Sequence, residues 1–293
     1  MTLAIEAKNL SIQYGKFTAV HNVSFNLAGD KIYGLLGRNG SGKTSLLSVL
    51  ASFRKQSAGE LRIGGEAPFE NAAIMSQVCL IQESGYISEG MKVKQVLELA
   101  GSCWDHWDAA FADELVNLYN LPLKKQAYNL SRGMKSALGT IIGLASRAPI
   151  TIFDETYLGM DAPSRYTFYE QLLQDYMKHP RTIILSTHLI EEVSSLFEEV
   201  MILDEGRLIM QDNTESLRLR GVSVTGPASK VDEFAKGLEV LNEQSLGGTK
   251  SITVYGSLDE GRKKDAQYNG LEIGPVSLQD LFVHLTRKRS GSK

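Results

Sequence analysis

The stretch GRNGSGKTSLL, residues 37–47, decides how the rest of the chain reads. It fits the pattern G-x-x-x-x-G-K-[ST] through Gly37, Gly42, Lys43 and Thr44. Before it, KIYGLL (31–36) reads as a buried strand. Behind it, the spacing of Leu46, Leu47 and Leu50 predicts a helix from Lys43 to about Ala51. Strand, glycine-rich turn and helix in that order make a phosphate cradle. The glycines let successive backbone N–H groups turn inward, and a Cβ at Gly40 or Gly42 is expected to crowd the approach. The helix N-terminus adds the positive end of its dipole. From there Lys43 reaches β- and γ-phosphates, and the Thr44 hydroxyl joins the shell of a Mg2+ ion.

Upstream of this loop, LAIEAKNLSIQY (3–14) and VHNVSFNL (20–27) alternate apolar and polar residues, with Gly15 at a turn between them. Both read as half-buried strands. Downstream, GELRIGGE (59–66) and MSQVCLIQ (75–82) read as further strands. MKVKQVLELAGS and AAFADELVNLYN are helical by spacing, with Trp104 and Trp107 expected as packing residues between them. In SRGMKSALGTIIGLAS, Met134, Leu138, Ile141 and Ala145 share one helical face, and Ser131 is a good N-cap. PITIFDE then reads as an apolar strand ending in Asp154 and Glu155. TFYEQLLQDYMK (167–178) and LIEEVSSLFE are helical, RTIILSTH (181–188) is a buried strand, and VMILDEGRLIMQ is a hairpin turning at Glu205–Gly206. Strands separated by helices imply a mostly parallel α/β sheet. After Leu219 the pattern resets. VSVTG, SITVYG and LEIGPV look like strands, VDEFAKGLEV and SLQDLFVHLT like helices, enough for a small α+β appendage over 220–293.

An acidic pair at a strand end has an obvious use beside a phosphate loop. Asp154 is placed to hold Mg2+, and Glu155 to polarise an attacking water as general base. The bulk properties agree with such a chain. At 293 residues, 43% hydrophobic and 22% charged, it has room for one large domain and a small one. A net charge of −3 leaves no basic footprint for a nucleic-acid partner. The basic C-terminal end (Arg287, Lys288, Arg289, Lys293) reads as a solvated tail. Cys79 and Cys103 make no disulfide framework and fit a reducing cytosol, with Cys79 expected in the core. MTLAIEAKNL lacks the basic and apolar blocks of a signal peptide, and nowhere do 18 apolar residues run together, so no membrane span is expected.

Taken in order, these residues resemble the ATP-binding subunit of an ABC transporter, over residues 3 to about 210. Tyr14 matches the aromatic A-loop residue that stacks on adenine. GRNGSGKT matches Walker A, with Asn39, Gly40, Ser41, Gly42, Lys43 and Thr44 as nucleotide-binding residues. Gln82 matches the Q-loop glutamine that senses Mg2+ and the γ-phosphate. LSRGM takes the place of the signature motif, with Ser131 and Gly133 kept, and ITIFDE that of Walker B. GMD matches the D-loop through Asp161, and His188 matches the switch histidine. Wording such as SRGMKSALG and LGMDAPSR resembles a Gram-positive exporter subgroup, the ATPases of YtrB type and of phenol-soluble-modulin exporters.

The resemblance implies a P-loop NTPase over 1–219, with an N-terminal antiparallel β subdomain, a mostly parallel core sheet and a helical subdomain at about 84–146. It implies ATP and Mg2+ as ligands, Glu155 and His188 as catalytic residues, and Thr44, Gln82 and Asp154 at the metal. It also implies an integral-membrane permease on a separate chain, and a second ABC ATPase subunit, identical or different, paired head to tail. The chain would then sit in the cytoplasm at the inner face of the cell membrane. Two departures stand out: Arg132 and Met134 replace glycine and glutamine of the usual signature, and Thr156 replaces the proline that usually follows the glutamate. An ATP-binding regulatory module and a soluble non-transport ABC ATPase are the alternative readings.

Overall fold

The computed structural model describes residues 3–82, 90–256 and 258–290. It divides into two compact units, one running to His188 and resuming over Ser195–Gln211, the other holding Leu189–Ser194 and the residues from Asp212 on.

In the first unit, β1 (Ile5–Tyr14), β2 (Phe17–Leu27) and β4 (Ala58–Ile63) form an antiparallel sheet in the order β2-β1-β4. The second sheet has six strands: β3 (Ile32–Leu36), β5 (Val78–Gln82), β6 (Ile150–Asp154), β7 (Thr182–Thr187), β8 (Glu199–Asp204) and β9 (Arg207–Asn213). Their order is β5-β6-β7-β3-β8-β9, and the neighbours from β5 to β8 are parallel. β3, β6 and β7 are buried at every position, and their mainly apolar sequences are what a sheet covered on both faces requires.

The helices of this unit are α1 (Lys43–Leu50), α2 (Ala72–Met75), α3 (Val93–Gly101), α4 (Ala109–Leu118), α5 (Arg132–Ser146) and α6 (Ala162–Lys178). Two glycines let α5 lie close on the sheet: a Cβ at Gly143 would come within 2.4 Å of Phe153, and one at Gly139 within 2.9 Å of Ile81. Trp107 packs over Gly101, as expected of a packing residue. Cys79 is fully buried, and burial pushes its thiol up to about 12. α6 begins five residues before the expected start at Thr167, because Asp161 caps it and Pro163 sits in its first turn. The start of the expected helical subdomain, at 84–89, lies outside the described residues.

The second unit contains α7 (Ile190–Val193), α8 (Thr214–Arg220), α9 (Ala228–Phe234), α10 (Glu260–Tyr268) and α11 (Leu278–Ser290). Its strands β10 (Gly221–Pro227), β11 (Glu239–Leu246), β12 (Thr249–Tyr255) and β13 (Glu272–Pro275) form one antiparallel sheet, order β11-β12-β10-β13. With α9 and α10 as the crossovers, this is the β-α-β-β-α-β ferredoxin-like motif. Val222, Val224, Ile252 and Val254 pack with Val231, Ala266 and Leu271 in its core. The helix expected over VDEFAKGLEV stops at Phe234, and Glu239 already starts β11. LIEEVSSLFE is likewise helical only over Ile190–Val193. Arg287 to Arg289 fall within α11, and Lys293 lies outside the described residues. Among the described residues, no helix is long and apolar enough to cross a membrane.

Candidate functional site

Parallel pairing puts the C-terminal ends of four neighbouring strands on one edge. Gln82 lies opposite Asp154, Asp154 opposite Ser186, and Leu36 opposite Thr187. The residues that follow these ends therefore share a neighbourhood: the 37–44 loop, Glu155 and His188. Ligands of open α/β sheets bind at this edge, where strands give way to loops.

The loop is shaped by backbone more than by side chains. Gly42, with φ 101°, is the N-cap of α1, and a Cβ there would come within 2.5 Å of the Ala19 carbonyl of β2. At Gly40, with φ 80°, a Cβ would meet nothing within 4 Å. The left-handed backbone, and not a clash with the protein, is thus what favours glycine at Gly40. Lys43 folds back under its own loop, and its Nζ donates to the Gly37 carbonyl at 2.7 Å and the Arg38 carbonyl at 3.3 Å. It is 5% exposed, and a buried ammonium needs such partners. Ser41 is buried with its hydroxyl unpartnered, while Asn39 and Thr44 are exposed.

Glu155 is the hub. One oxygen, Oε1, lies 3.4 Å from Lys43 Nζ and 3.3 Å from His188 Nδ1. Its backbone sits at φ 54°, a left-handed conformation unusual for glutamate, and its N–H donates to the Ser186 carbonyl at 3.2 Å. Asp154, beside it, is buried, and its Oδ1 has no hydrogen-bond partner. Burial above all raises this carboxyl from its ordinary range, against the pull of the Thr44 hydroxyl, Ser186 and the Lys43 charge. An orphaned carboxylate oxygen beside a threonine hydroxyl is a hard-oxygen set of the kind Mg2+ takes.

Other expected site residues gather in different groups. Ser131 caps α5 by accepting from Met134 N–H at 3.3 Å. A Cβ on Gly133 would lie 3.1 Å from the Gly159 carbonyl, so the α5 N-terminus rests on the turn after β6. Asp161 caps α6 from the same segment, and hydrogen bonds from Ser164 hold its carboxyl below the usual range. Thr156 is buried and donates to the Ile81 carbonyl at 3.0 Å, tying this turn to β5, which a proline could not do. Tyr14 ends β1, 43% exposed, with the Arg54 guanidinium carbon 3.9 Å from its ring centre. Sequence reasoning missed Arg54 and the Thr156 tie; the unusual residue after the glutamate was the only available signal for the second.

Comparisons with known proteins agree with this architecture. The family model for ABC transporters matches residues 20–157. The Nod factor export ATP-binding protein I of Paraburkholderia xenovorans (strain LB400) is 30% identical over 298 residues, covering 97% of both chains. The ABC transporter ATP-binding protein YtrB of Bacillus subtilis (strain 168) is 24% identical over 285 residues, covering 95% of this chain and 97% of that one. A solved ATP binding subunit of an ABC transporter shares the fold, with a TM-score of 0.66 and 23% identity over 74% of this chain and 92% of its own. With similarity over nearly its whole length and a phosphate loop beside the acidic pair of a buried Asp154 and a partly exposed Glu155, the chain belongs to the ABC transporter family, as an ATP-binding ATPase subunit.

Proposed function

We propose that this subunit is the motor of an exporter whose membrane path is a separate permease chain, and that it works at the inner face of the cell membrane. It acts as a head-to-tail pair with a second ABC ATPase subunit, a copy of itself or a different cassette. Export is supported by the likeness to a Nod factor export ATP-binding protein. The domain division proposed is a catalytic part over 1–219 and an accessory part over 220–293 that braces the pair.

The observation that carries the reading is Glu155 Oε1 held between Lys43 Nζ at 3.4 Å and His188 Nδ1 at 3.3 Å, next to the orphaned Asp154 Oδ1. When the triphosphate enters along Asn39 to Thr44, Lys43 exchanges the Gly37 and Arg38 carbonyls for phosphate oxygens. Asp154, Thr44 and Gln82 would hold Mg2+, which draws charge off the phosphate oxygens. Glu155 takes the proton of the attacking water as its oxygen bonds the γ-phosphorus and the bond to the β-phosphate breaks, giving ADP and phosphate. His188 braces that water and the γ-phosphate. Ser131 and Gly133 of one chain close on the nucleotide of the other, with Asp161 linking the two sites, so loss of the γ-phosphate opens the pair.

Light scattering with and without ATP-Mg2+ tests this, comparing wild type with Glu155→Gln. The variant is expected to trap an ATP-dependent dimer and to lose phosphate release. ATP binding without any linked dimer or turnover in wild type and variant alike would sink the reading.

A further inference from the structure

Arg54 lies beyond the end of α1 and takes no part in the phosphate loop. Its guanidinium nevertheless covers one face of Tyr14, with the central carbon 3.9 Å from the ring centre. One terminal nitrogen donates to the carbonyl of Gln13, the residue just before Tyr14. Nε is buried without a hydrogen-bond partner, so this cation is held by a backbone carbonyl and a ring face. Tyr14 itself remains 43% exposed.

We propose that Arg54 is a positioning residue for nucleotide binding: it backs the Tyr14 ring so that the outer face is presented to the purine as a fixed plate. The proposal rests on Tyr14 being the base platform of the nucleotide site. Three physical effects favour the arrangement. A cation on the rear face is itself bound by the ring quadrupole, the attraction being larger where it is partly desolvated. It also draws electron density from the ring, which favours stacking of an electron-rich purine on the other side. Holding the ring in one orientation before the base arrives removes an ordering cost from binding. The planar, forked guanidinium does this while bonded to Gln13, which an ammonium does less well. A stack reads ring area and not base edges, so Arg54 serves ATP and GTP alike.

Isothermal titration of the full chain with ATP, GTP and inorganic triphosphate, in EDTA to stop turnover, tests the assignment. Arg54→Ala is expected to weaken both nucleotides by roughly three- to tenfold and to leave inorganic triphosphate unchanged. Arg54→Lys falls between the two. In steady-state turnover Arg54→Ala raises KM with kcat unchanged. If Tyr14→Ala weakens ATP while Arg54→Ala binds like wild type, Arg54 has no such role although the platform stands. If Arg54→Ala weakens inorganic triphosphate equally, it is only a prop for the β1–β2 hairpin, and the proposal is wrong. If Tyr14→Ala has no effect on ATP, the platform and the proposal fall together.

Discussion

The two units bury different things. Around the parallel sheet, Lys43, Asp154, Asp175, Arg181 and Asp204 are all buried charged residues, whereas the buried polar residues of the second unit are Thr214 and Thr286. Burying charge is costly unless it is paired. Asp175 is answered that way, by Arg181 at 2.7 Å and Arg147 at 3.3 Å. Asp154 Oδ1, at the opposite edge of the same sheet, is not. The contrast teaches where to look: a buried charge left unanswered marks a place that a ligand completes. The second unit closes its core with apolar contacts and shows no such debt among its described residues.

The contrast is sharpest at Lys43. Lys43→Ala removes the partner of Glu155 and of two loop carbonyls, and ATP affinity should fall about a hundredfold or more by titration calorimetry. Ile252→Ala, in the core of the second unit, should leave ATP affinity alone. It should instead cost about 2–5 kcal/mol in denaturant unfolding of that unit. A large loss of ATP binding in Ile252→Ala would break the comparison. Asp154→Asn gives a smaller effect of opposite sign. Because burial raises the Asp154 carboxyl, the native state prefers its protonated form. That stabilising preference is fully present below the ordinary carboxylate value of about 4 and is lost as pH rises through the raised one. Near neutral pH the ionised group therefore works against the empty fold. Asp154→Asn should raise the melting temperature of the nucleotide-free protein at pH 7, by about 2–4 °C for each kcal/mol relieved. The gain should vanish in acid. A lower melting temperature at pH 7 would mean that Lys43 and Thr44 outweigh burial.

Much of this edge was legible in the sequence because parallel strands announce themselves. GRNGSGKT, Gln82, Asp154 and His188 each follow or end an apolar run, and parallel pairing sends such ends to one side. What stayed hidden depended on long-range backbone partners. Nothing in ITIFDE says that Glu155 will take a left-handed φ, since that requires the Ser186 carbonyl from β7. Arg54 reads as a loop cation until β1 is folded beside it. β11 was hidden for another reason. It is an edge strand whose Asn242, Glu243, Gln244 and Ser245 carry no apolar alternation, while VDEFAKGLEV keeps a helical rhythm past the true helix end. The start of α6 was different again: Asp161 and Pro163 are a cap and a first-turn proline, a signal that was present but absorbed into another motif.

The rest of the α5 N-terminus on the turn after β6 has a consequence for how this protein can change over generations. A Cβ at Gly159 would stand 2.5 Å from Ser136 Oγ and 2.9 Å from Arg132 Cγ, and one at Gly133 would stand 3.1 Å from the Gly159 carbonyl. The two segments therefore vary as one inherited unit. A bulkier residue at either glycine survives only with a compensating change on the other side. The signature-like segment and the Gly159 turn are thus expected to drift together among descendants, even while the strands beneath them hold still.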